Sequence, residues 1–104
     1  MLKPGDHELL DLYKDQGAYQ LYNQLRKLCP GFIDGIDDSY LATYITILIN
    51  IKHIQEQINQ ATDPERIKIL KEVLEDYQEN KREYAAGLGL TPESYKYITD
   101  HLKS

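Results

Sequence analysis

The chain has one cysteine, one methionine, one phenylalanine and no tryptophan in 104 residues. A single thiol, Cys29, cannot close an internal disulfide, so a disulfide-stapled fold is excluded. Cys29 is expected to act as a small buried hydrophobe. No apolar run approaches the roughly 20 residues that a membrane-spanning helix needs. The opening Met1-Leu2-Lys3-Pro4-Gly5-Asp6-His7-Glu8 turns acidic and lacks the apolar stretch of a signal peptide, so the expectation is a cytoplasmic protein without a membrane partner. Basic residues are also short: 12 Lys and Arg against 17 Asp and Glu, a formal net charge of −5. A protein that coats nucleic acid with its whole surface needs the opposite balance. Any DNA contact must therefore come from a local patch, or from one multiplied by symmetry.

The groups that catalysis needs do not converge. His7, His53 and His101 lie far apart, and none has a metal-ligand spacing with Cys, Asp or Glu. There is no Gly-rich phosphate loop, no nucleophile elbow and no Cys pair. Asp34, Asp37 and Asp38 open like a calcium loop, but no glutamate closes it. No catalytic residue, metal or cofactor is expected.

What the chain has is helical spacing. Leu41, Tyr44, Leu48, Ile51, Ile54 and Ile58 recur at steps of three and four, as do Ile67, Leu70, Leu74, Tyr77, Tyr84 and Leu88 with one break. Thr62-Asp63-Pro64-Glu65 between them supplies a capping oxygen, a proline suited to a first helical position, and an acid. Two such helices joined by a short turn close into an antiparallel hairpin over 37–88. Before it, residues 6–36 read as a helical segment and connector. Asp6 is a candidate N-cap. Residues 6–28 form either one helix weakened at Gly17 or two meeting there, and Phe32, Ile33 and Ile36 plug one end of the hairpin. After it, Thr91-Pro92-Glu93 opens a short helix within 89–104. The expected fold is a single all-α domain, a helical bundle around the hairpin, with helices near 6–28, 38–60, 63–87 and 92–102.

The central helix is apolar over a wider arc than one contact requires, with Ile45, Ile47 and Ile49 off the main stripe. Leu41, Tyr44, Ile47, Leu48, Ile49 and Ile51 are therefore expected to serve both the core and a subunit contact. Nine tyrosines suit the edges of cores and interfaces. For a basic patch, Arg26 and Lys27 come first, adjacent and near a helix end; Lys3 and Lys14 come second, because acids flank both. Glu72 to Asp76, Glu79, Arg82 and Glu83 read as a solvated helix face.

Three stretches carry a family likeness: Tyr22-Asn23-Gln24-Leu25, Asp38 to Tyr44, and Leu88-Gly89-Leu90-Thr91-Pro92-Glu93-Ser94. Their order resembles the small subunits of tailed-phage terminases, particularly the P27-like group, over roughly residues 19–98. The last stretch is the most specific: a glycine stop, a staple residue, an N-cap and a proline at the first position. Tyr22 stands where tryptophan is usual in that family, and Tyr95 where an arginine often follows. The resemblance implies a non-catalytic, ring-like homo-oligomer in the host cytoplasm. Such a protein would recognise double-stranded viral DNA and deliver it to the large terminase subunit, which would carry the ATPase and nuclease. The alternative is a small helical-bundle interaction or immunity-like protein with no DNA role.

Overall fold

The computed structural model describes residues 2–29, 31–32 and 37–103, excepting the Lys103 side chain, and all of the regular structure in them is helical. Helix α1 is Pro4–Asp11, a 3₁₀ turn follows at Lys14–Gln16, and α2 is Ala18–Leu28. The long pair is α3, Asp38–Gln60, and α4, Pro64–Leu88; α5 is Pro92–Lys103. Ile33 and Ile36, expected to plug the hairpin, lie outside the described residues. Phe32 is half-buried and packs against the core.

The local reasons for these boundaries are legible. Asp6 does not cap α1 from outside. Lys3 is the N-cap, Pro4 takes the first position, and the Asp6 carboxylate accepts the Lys3 backbone N–H at 3.0 Å. Proline wins that place because its fixed φ suits the first turn and its missing N–H would have no intrahelical partner. The same Asp6 Oδ2 accepts the Ser39 hydroxyl at 2.9 Å, which ties the starts of α1 and α3. Gly17 separates the 3₁₀ turn from α2 with φ +78°, a left-handed conformation that glycine adopts without penalty. At α4 the cap is Asp63, whose side chain accepts the Glu65 N–H at 3.2 Å. Gly89, at φ +64°, ends it.

The core gathers around α3. Helix α4 lies along it, α1 and α2 pack on its other sides, and α5 closes against α2. Leu41, Tyr44, Leu48 and Ile49 belong to one buried cluster with Leu10, Leu21, Tyr22, Leu25, Leu88 and Ile98. Ile47 and Ile51 are buried as well. The wide apolar arc of α3 is thus covered within one chain. Ile47 and Ile49, expected to look to a second subunit for cover, are buried within the one chain. Helix α4 is the opposite case: among its described residues only Ala85 and Leu88 are buried. Ile67, Leu70, Leu74, Tyr77 and Tyr84 are half-buried, with α3 as their only extensive helical neighbour.

Candidate nucleic-acid interface

Helix α2 ends in Arg26, Lys27 and Leu28. Cations in a last turn are favourable by themselves, since the helix dipole places partial negative charge there. The structure adds a shape to this. Asn23, Arg26, Lys27 and Phe32 line a cleft of about 530 Å³. Asn23 lies one turn before Arg26, so both side chains leave the same side of α2. The half-buried Arg26 guanidinium stands 5.9 Å from the Phe32 ring centroid, a cation–π distance. A cation pair, an amide that both donates and accepts, and an aromatic edge are the groups that hold phosphates and bases.

A second, shallower cleft of about 430 Å³ shares Lys27 and is otherwise lined by Leu28, Thr91, Pro92 and Glu93. Its far wall is the start of α5. Thr91 Oγ1 accepts the Ser94 N–H at 3.2 Å, and Ser94 Oγ accepts the Thr91 N–H at 3.4 Å, a reciprocal cap. Ser94 is fully buried, and its hydroxyl also donates to the Leu28 carbonyl at 3.4 Å. The Leu88–Ser94 corner is therefore fastened to the last turn of α2. Cys29 beside it is buried; burial pushes its thiol pKa up, the Ser94 hydrogen bond lowers it and the Asp37 charge raises it.

The four nominated cations do not form one patch. Lys14 lines a separate cleft of about 580 Å³ together with Lys52, Asp15, Gln20, Tyr97 and His101. It precedes α2, whereas Arg26 and Lys27 end it, and 11 helical residues span about 16 Å. Lys3 sits exposed at the start of α1. Asn23 was not foreseen as a site residue, although its spacing of three from Arg26 carried the signal. Lys52 and His101 meet Lys14 from distant parts of the chain, which no local pattern announces.

The histidines are spread over the fold. His7 Nδ1 lies 3.3 Å from the Tyr19 hydroxyl, which donates to Asp11 at 2.6 Å. That hydrogen bond to a carboxylate raises the Tyr19 pKa. His53 stands beside the Tyr13 ring, and His101 Nε2 lies 3.3 Å from the Gln16 carbonyl. Among the described residues no group of three or more His, Cys, Asp and Glu side chains could hold a metal ion, and no helix is long and apolar enough to cross a membrane.

Fold and cleft together define an all-α bundle on a helical hairpin with a small basic and aromatic cleft at one helix end. The chain matches no family model, no curated protein and no solved structure.

Proposed function

We propose that this chain is a small terminase subunit: a non-catalytic, oligomeric component that recognises double-stranded viral DNA and passes it to a large terminase subunit in the host cytoplasm. One observation carries the reading. The Leu88–Ser94 corner, the stretch with the strongest family resemblance, is tied by Ser94 to the carbonyl of Leu28, beside the Arg26–Lys27 cleft. Family-like motif and basic patch thus share one corner of the molecule. The net charge of −5 requires contact to be confined to such a patch and repeated around an assembly.

The test is a titration of duplex DNA at two salt concentrations, with wild type and an Arg26→Ala/Lys27→Ala double mutant. Each phosphate neutralised contributes about −0.9 to the slope of log affinity against log salt. The double mutant is expected to lose affinity and up to about 1.8 of that slope per bound subunit. Equal affinity and slope in both proteins would misplace the patch. No binding by the wild type at low salt would remove direct DNA recognition. The acidic balance of the chain favours, in that event, the second reading of a helical-bundle protein that bridges other proteins.

A further inference from the structure

Helix α4 carries a second stripe that the single chain leaves bare. Arg66, Ile69, Val73, Asp76 and Asn80 recur at steps of three and four, and all five are exposed. Ile69 is 60% exposed and Val73 37%, high values for branched apolar side chains. Such steps set one face of a helix, with two apolar residues between Arg66 and Asp76, which carry opposite charges. This face runs beside the half-buried stripe of Ile67, Leu70, Leu74 and Tyr77.

We propose that this face is a seam for a second copy of the chain, packed antiparallel to it about a two-fold axis level with Lys71. Charge selects both the occupant and its direction. A parallel, in-register pair sets Arg66 against Arg66 and Asp76 against Asp76, which repels at both ends. The antiparallel pair sets positions equally far from Lys71 level with each other. Arg66 then meets Asp76 of the partner subunit, Ile69 meets Val73 of the partner subunit, and symmetry gives each contact twice. Lys71 itself does not clash on the axis. Two residues turn a helix by about 200°, so it points away from the Ile69 and Val73 side. A patch of this kind is self-complementary, which a surface evolved for an unrelated partner has no reason to be.

The seam is short. Residues 66–80 cover about 21 Å of helix, and two helices touching over that length bury less than the roughly 1,000 Å² of a stable complex. Association is therefore weak and concentration-dependent unless other contacts join it. A two-fold seam pairs two copies and does not itself close a ring, so it is a contact separate from the assembly of the proposed function, and it needs neither DNA nor the Arg26 cleft.

Sedimentation equilibrium of the full chain over a wide concentration range tests it, with circular dichroism confirming that each variant is folded. Arg66→Asp and Asp76→Arg, each alone, should raise the self-dissociation constant at least about tenfold, because both symmetry-related attractions become repulsions. The double exchange Arg66→Asp/Asp76→Arg should restore it to within about threefold of wild type. Ile69→Ser/Val73→Ser should leave a monomer. A wild type that stays monomeric overturns the seam, as does a double exchange that remains as weak as the single ones. An oligomer whose mass none of these changes alters also overturns it, while leaving the oligomeric reading intact. Failure of the DNA titration, conversely, leaves the seam standing.

Discussion

The Tyr22 hydroxyl donates to the carboxylate of Asp38, and both residues are buried. The bond links the middle of α2 to the first turn of α3, where the helix dipole also favours an anion. A buried hydrogen bond to a charged group contributes about 1.5–3 kcal/mol. Tyr22→Phe should therefore lower stability by that order in a urea melt. Tyr22→Phe/Asp38→Asn should cost less than the sum of the single changes, since the two side chains act on each other. Strict additivity would show that the pair is not coupled.

Tyr44 behaves in the opposite way. It is fully buried in α3, and its hydroxyl has no hydrogen-bond partner among the described residues. Burial pushes the phenol well above its ordinary pKa of 10.0, and the nearby Tyr95 and Cys29 push it further in the same direction. Tyr44→Phe removes an unsatisfied polar atom and should be neutral or stabilising by about 1 kcal/mol. The pH effect follows from the raised folded-state value. The stability contributed by the neutral phenol is complete below about pH 10 and declines as pH rises from there towards that value. Alkaline melts should thus fall more steeply with pH for wild type than for Tyr44→Phe. A clear loss of stability in Tyr44→Phe at neutral pH would mean that the hydroxyl has a partner after all.

Gly17 is held from both sides. Its backbone is left-handed, and a Cβ there would lie 2.5 Å from His101 Nε2. Gly17→Ala should cost about 1 kcal/mol for the backbone alone, with the contact adding to it. His101→Ala removes the obstacle, along with its hydrogen bond to Gln16. The combination Gly17→Ala/His101→Ala should therefore be milder than the sum of its parts, as thermal or urea melts of the four proteins would reveal. A double mutant as damaged as the sum would place the whole cost in the backbone.

The parts of the fold that were readable in advance are those governed by local chemistry. Thr62-Asp63-Pro64 and Thr91-Pro92 fixed two helix starts, and Gly17 and Gly89 fixed two breaks, because caps, prolines and left-handed glycines act within a few residues. The all-α bundle followed from the spacing. What the spacing could not tell was which neighbour covers each face. Ile47 and Ile49 look alike whether a second subunit or the rest of the same chain lies over them. Val73 lies inside a run of acids whose pattern is that of a wet surface, and Ile69 lies off the main apolar stripe of α4. Arg26 and Lys27 were found as a pair by adjacency, whereas Phe32 reaches them only through the turn after α2.

The hairpin is unevenly supported along its length. Near its base, α3 is enclosed by α1, α2 and α4, while beyond Ile54 the described residues of α3 and the facing half of α4 are exposed or half-buried. Opening free energy follows burial, so amide hydrogens should exchange in a gradient: slowest around Leu41–Ile49, fastest near Gln60 and Pro64. A sector that can fray without disturbing the rest is able to change its angle or order when something binds it. The far end of the hairpin is thus a compliant lever standing on a rigid base, and a partner that grips it meets a low cost of adjustment there and a high one everywhere else.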